Sequence, residues 1–224
     1  MNLHELNLAK HQYQNDQVVL LPYLKTPGVF PDDLWPRIHA RLMDDGTVST
    51  IFPGMGMFSA QDLDRHMKRQ PAVLYVIKPD TLVGFGWITQ SEGPDGARKA
   101  AFGFAFFRST WGTALVRDLC FLSLAWWFEE LKIEILYGSL LKTNRMATNF
   151  SRNFGFKDVG DLPMFFVVGG KLVDGHLICL KKSDFMPRYE FHRSTWNEAA
   201  VSPAVRSNGK LHLEGKKQWA EKVI

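Results

Sequence analysis

The sequence predicts an α/β (α+β) domain on a mixed sheet that is mainly antiparallel, with a central parallel pair splayed at one end. Two observations carry this. Residues 72–107 hold three β-rich runs separated by turn-forming residues, which read as an antiparallel meander. From Thr110 the apolar period becomes helical, with Leu115, Leu119, Leu122 and Trp126 marking a helix to about Leu131, and a new β-rich run starts at Ile133. Strands joined by a helical crossover are parallel neighbours.

The elements follow in order. Val18 to Leu24 reads as a first strand between Asp16 and the Lys25, Pro27, Gly28 breakers. Asp32 and Asp33 precede a helix with Leu34, Ile38 and Leu42 on one stripe, stopped at Gly46. Ser59 opens a second helix through Arg69, and the apolar, Gly-rich stretch Ile51 to Phe58 between them reads as a loop able to line a pocket. Ala72–Ile77, Leu82–Thr89 and Ala100–Phe107 are the meander strands, with turns at Lys78–Thr81 and Ser91–Gly96. After the long helix come a strand over Ile133–Leu140 and a short helix over Asn144–Phe154 ended by Gly155. A final hairpin joins Phe165–Val168 to His176–Leu180 through Gly169-Gly170.

Where the long helix begins, a splayed parallel pair and the N–H groups of a first helical turn stand together. That combination favours an anion such as a phosphate.

Composition narrows the classes. The chain has 224 residues, 46% hydrophobic and 13% aromatic, which suits one domain with extensions. Residues after Met1 show neither a signal nor a transit peptide, and the apolar run Phe121–Phe128 is far short of the roughly 20 residues that cross a bilayer. A soluble, cytoplasmic protein without membrane contact is expected. Cys120 and Cys179 read as small buried hydrophobes, the seven histidines form no ligand set, and no metal is expected. The net charge of +4 lies C-terminally, where residues 181–224 hold nine Lys/Arg against five Asp/Glu. Three segments are expected: an N-terminal arm over 1–16, a domain over 17–182 and a basic, aromatic-containing extension over 183–224. Pro187, Pro203 and Gly209 argue against a long element in that extension, and residues beyond about Asp184 are expected outside the core.

The element order and the stretch Asn144-Arg-Met-Ala-Thr-Asn-Phe-Ser-Arg-Asn-Phe-Gly-Phe156 resemble the GNAT superfamily of acyl-CoA-dependent N-acyltransferases. Asn144, Ala147, Phe150, Gly155 and Phe156 fall at the expected positions, and Leu82-Val-Gly-Phe-Gly-Trp87 is similar to the family's third strand. The resemblance covers about residues 17–182 and implies an acyl-CoA, acetyl-CoA or another, as cosubstrate with an amine as acceptor. It places the pyrophosphate on Phe107-Arg-Ser-Thr-Trp-Gly112 and Thr113, with Asn144 ending the next strand. Gly112 matches the last glycine of the family's loop, but Phe107 replaces its leading basic or amide residue and Thr110 its middle glycine. A Cβ at Thr110 obstructs close backbone approach, and Arg108 can restore charge beside it.

The family's Tyr general acid would stand at Ser151, whose hydroxyl is a far weaker acid than a phenol. Glu134 is the other weak catalytic candidate, with an exposed edge charge as its ordinary reading. Asp118 reads as an exposed residue or ion-pair member, His176 as ordinary, and Trp126, Trp127 and Phe128 as core. Three readings stay open. One is an N-acyltransferase with an altered phosphate loop. Another is a catalytically inactive GNAT-like structural or binding protein, resembling those encoded by tailed bacteriophages and in some cases carried in the virion, with the arm and the extension as contacts for a protein partner or a second copy. The third, a nucleic-acid contact, rests on the tail and a pI near 9.0 alone.

Overall fold

A computed structural model of the protein describes residues 13–23, 30–52, 59–77, 81–92 and 96–201. The elements are β1 (Val18–Pro22), α1 (Leu34–Asp44), the single turn α2 (Val48–Ile51), α3 (Ala60–Met67), β2 (Ala72–Ile77), β3 (Thr81–Glu92) and β4 (Arg98–Phe106). A 3-10 turn over Arg108–Thr110 leads to α4 (Ala114–Glu129), β5 (Ile135–Leu141), α5 (Arg145–Asn153), β6 (Lys157–Val168), β7 (Lys171–Lys181) and α6 (Lys182–Val201). Residues 53–58, most of the pocket-lining loop, fall outside the described set, as do 1–12 of the arm and 202–224 of the extension.

The seven strands form one sheet in the order β1-β2-β3-β4-β5-β7-β6. All neighbours are antiparallel except β4 and β5. The expected parallel pair is present because α4 carries the chain back across the sheet. It is short: Lys99 pairs with Ile135, Ala100 with Leu136 and Ala101 with Tyr137, and no further residues pair.

Strand alternation divides the core between the two faces. One layer packs Val19, Leu21, Leu74 and Phe85 against Trp35, Ile38 and Leu42 of α1 and Leu63 and Met67 of α3. The other packs Leu20, Tyr75, Leu136, Ile178 and Leu180 against Leu119, Leu122, Trp127 and Phe128 of α4. Trp127 and Phe128 are fully buried, as expected of core residues. Helix α3 starts on a capping box in which the Ser59 hydroxyl accepts from the Asp62 N–H and the Asp62 carboxylate accepts from the Ser59 N–H. Hydrogen bonds from the Ser59 hydroxyl and N–H hold the Asp62 carboxyl below the usual carboxylate range. Because the folded pKa is the lower one, its stabilising effect is present above the ordinary range and disappears as pH falls through the folded value. The Tm difference between the protein and Asp62→Asn is therefore expected to shrink on acidification, as thermal melts across pH will show.

The last hairpin is longer than its sequence suggests. Strand β6 begins at Lys157, and its register shifts at Asp158/Gly160 and Leu162/Phe166 interrupt the alternation that would have revealed it. Gly169 and Gly170, both at positive φ, make the two-residue turn.

The C-terminal expectation is corrected. Residues 182–201 form α6, and Phe185 (0% exposed) and Tyr189 (4%) belong to the α4-side core. Phe185 lies against Phe121 and Phe128, and His192 stacks on Phe121 at 4.1 Å. Pro187 stands inside the helix on its exposed side. Burial of the two aromatic rings outweighs the roughly 3 kcal/mol that an interior proline costs.

The N-terminal segment is tied down at its end. Tyr13 joins the same core, and its hydroxyl donates to Glu129 and Glu130, each at 3.1 Å. Asp118 is the ion-pair member of the two expected alternatives, with Arg117 Nε at 3.9 Å, and it is buried rather than exposed. It accepts from Asn15 Nδ2 at 3.0 Å and meets His192 Nε2 at 2.8 Å, linking the N-terminal segment, α4 and α6.

Candidate active site

The β4–β5 pair separates beyond Ala101, and the chain leaving β4 turns into α4 at that open end. The Phe107 N–H donates to the Val83 carbonyl on the β3 side. By alternation, the amides of Phe102, Phe104 and Phe106 point toward β5. Two bonds fit this direction: Glu134 N–H to the Arg98 carbonyl at 2.9 Å, and the Trp111 indole N–H to the Phe106 carbonyl at 2.9 Å. Between these, the Phe104 amide faces the gap, where β4 makes no ladder pair with β5.

The first turn of α4 is open to an acceptor. Its N-cap is Thr113, whose hydroxyl donates backward to the Thr110 carbonyl at 2.7 Å and caps nothing, and the turn carries no acidic residue. The N–H groups of this turn and the positive end of the helix dipole therefore lack a side-chain anion.

The loop before it is preformed. Thr110 N–H donates to the Phe107 carbonyl, Trp111 N–H to Arg108 and Thr113 N–H to Thr110. Arg108 N–H donates to Asp45 Oδ2 at 2.9 Å, and Asp45 is paired in turn with Arg41 at 3.5 Å. Phe107 is buried in the α1-side layer, with the Arg41 guanidinium 5.7 Å from its ring centroid. Thr110 is 7% exposed and its hydroxyl donates to the Phe107 carbonyl, so its side chain turns inward. Arg108, Ser109, Trp111, Gly112 and Thr113 make the exposed surface of the loop. Gly112 has φ of 76°, and an added Cβ would meet nothing within 4 Å, so glycine is needed there for backbone conformation alone.

The other candidates lie on other elements. Asn144 is the N-cap of α5, its Oδ1 accepting from the Ala147 N–H at 3.0 Å. Ser151 lies on α5, 8% exposed, and its hydroxyl donates to the Thr148 carbonyl at 2.8 Å. Glu134 is exposed and precedes β5, at the closed end of the parallel pair. His176 Nε2 stands 3.3 Å from Thr148 Oγ1 and 3.8 Å from Asp158 Oδ1, on the wall of an open hollow of about 410 Å³ that β6 and α5 also line. What sequence reasoning missed is the apolar lining of the opening. Phe102 and Phe104 of β4, Leu115 of α4, Leu140 of β5 and Phe150 of α5 are half-buried against the α4-side core. The alternation Phe102, Phe104, Phe106 was the available signal.

A family model described as an acetyltransferase (GNAT) domain matches residues 30–157. The chain belongs to the GNAT acetyltransferase family. Solved structures with the same fold include a spermidine N-acetyltransferase from Vibrio cholerae in complex with CoA and spermine (TM-score 0.63, 19% identity, 77% of this chain and 99% of that one). They also include RimJ from Mycobacterium smegmatis in complex with CoA-disulfide (0.62, 17%, 83% and 97%). A GNAT-family acetyltransferase from Bacillus anthracis aligns at 0.59 with 14% identity over 76% and 98%. No curated protein matches this GNAT chain. Among its described residues no group of three or more His, Cys, Asp or Glu is placed to hold a metal ion, and no helix is long and apolar enough to cross a membrane.

Proposed function

We propose that this GNAT-family chain is an acyl-CoA-dependent N-acyltransferase that works by positioning. The observation that carries this reading is the coincidence, at one end of the molecule, of the β4–β5 opening and the uncapped first turn of α4. The pyrophosphate accepts from N–H groups of that first turn, beside the exposed face of the loop from Arg108 to Thr113. The Asp45 carboxylate nearby is offset by Arg41. The pantetheine arm follows β4, and the Phe104 N–H polarises the thioester carbonyl. The CoA complexes of the Vibrio and Mycobacterium structures support the choice of cosubstrate.

In the transfer step the lone pair of a neutral amine attacks the thioester carbonyl carbon. A C–N bond forms, the C–S bond breaks, and the proton lost by nitrogen reaches the CoA thiolate. Placing the two reactants together contributes about 7–11 kcal/mol toward the barrier. Ser151 does not supply the proton, because its hydroxyl is engaged by the Thr148 carbonyl and is a weak acid. Solvent water relays it.

The test is release of CoA thiol from acetyl-CoA with a panel of amines that includes polyamines and N-terminal peptide amines. Amine-dependent release is expected, with Ser151→Ala changing the rate less than tenfold. A hundredfold loss in that variant makes the hydroxyl a participant. The absence of the family's Tyr favours a second reading, a GNAT-fold binding protein without turnover. Binding of acetyl-CoA without release on any amine supports that one.

A further inference from the structure

On the α4 face of the sheet, the first positions past the last β4–β5 pair are Phe102 and Gly138. They do not stand apart as the strands do. A Cβ placed on Gly138 would lie 2.7 Å from Phe102 Cε1 and 2.9 Å from Cζ, so the Phe102 ring reaches across the seam and rests on the Gly138 backbone. The ring is backed by Phe156, 5.0 Å between centroids, and by Trp127 at 6.1 Å. Phe156 and Trp127 are buried, so the ring has packed neighbours behind it while its own residue stays half-buried. The next positions out on this face are Phe104 and Leu140, beyond the last paired residues, and the Phe104 ring centroid lies 5.2 Å from that of Phe102.

We infer that Phe102 is the floor of the acyl pocket and limits the transferred group to short acyl chains. The inference rests on the proposed use of acyl-CoA and adds the acyl class. A thioester held at the Phe104 amide directs its acyl group along the seam toward Phe102. An acetyl or propanoyl group ends before the ring, whereas a longer chain meets an aromatic side chain that cannot retreat, with Phe156 and Trp127 behind it and the glycine backbone beneath. Gly138 is part of the device, because any larger residue there lifts the ring into the pocket.

The experiment is calorimetric titration of the full chain with CoA, acetyl-CoA, butanoyl-CoA and octanoyl-CoA, which needs no acceptor. The protein is expected to bind octanoyl-CoA at least about tenfold more weakly than acetyl-CoA. Phe102→Ala should abolish or reverse that preference, and Phe102→Leu should give an intermediate one if the alanine variant folds poorly. Gly138→Ala should weaken acetyl-CoA relative to CoA. Equal affinity across the series in the unaltered protein, or an unchanged preference in a folded Phe102 variant, overturns the floor assignment while CoA binding stands. Failure to bind CoA itself overturns the reading beneath it.

Discussion

Phe185→Ala is expected to destabilise the domain by about 3–5 kcal/mol, the usual cost of emptying a fully buried phenylalanine site. The ring is 0% exposed and lies against Phe121, Phe128 and Tyr189, so its removal leaves a cavity at the junction of α4 and α6. A domain of this kind holds only about 5–15 kcal/mol in total. For its size the loss corresponds to a fall in Tm of roughly 10 °C. Deleting residues 185–224 removes Tyr189 and the His192–Asp118 contact as well. The expected result is loss of the cooperative melt, seen by circular dichroism. A truncated chain that still melts cooperatively near the original temperature would show that α6 is an appendage.

Ala114→Glu is expected to weaken acetyl-CoA by tenfold or more while leaving the fold intact. Ala114 is the first residue of α4 and is exposed, so the new side chain displaces no core atom. A carboxylate in a first helical turn stabilises the helix by about 0.3–1 kcal/mol. The same charge repels a pyrophosphate at that terminus. At separations of a few ångströms the repulsion is roughly 1–4 kcal/mol per unit charge near a protein surface. Stability and affinity therefore move in opposite directions, and a melt run beside a titration separates them. Equal affinity in both proteins would place the phosphates elsewhere.

Both variants bear on how much could be read from residues alone. The parallel pair was legible, because a change of period at Thr110 followed by a β run at Ile133 leaves no other economical path for the chain. The open end of that pair and the uncapped helix follow from it. Helix α6 was not read, since Pro187 and the polar residues around it signal a break. Yet Phe185, Tyr189, His192 and Trp196 keep a spacing of four, three and four, which is a helical stripe. Of the two readings of Asp118, the ion-pair member holds and the exposed residue does not. It lies three residues after Leu115 and four before Leu122, on the buried stripe, and its Asn15 and His192 partners come from segments more than 70 positions away. The floor of the pocket was beyond sequence, because the contact of Phe102 with Gly138 depends on strand register and on the room a missing Cβ leaves.

The proposed function requires acyl-CoA at the open end of the β4–β5 pair. Hydrogen–deuterium exchange of the full chain with and without acetyl-CoA tests it directly. Slowed exchange is expected at Phe104 and over residues 108–116, with little change in β6 and β7. Protection centred on the hollow at Thr148, Arg152 and His176, or no protection at saturating acetyl-CoA, would contradict it.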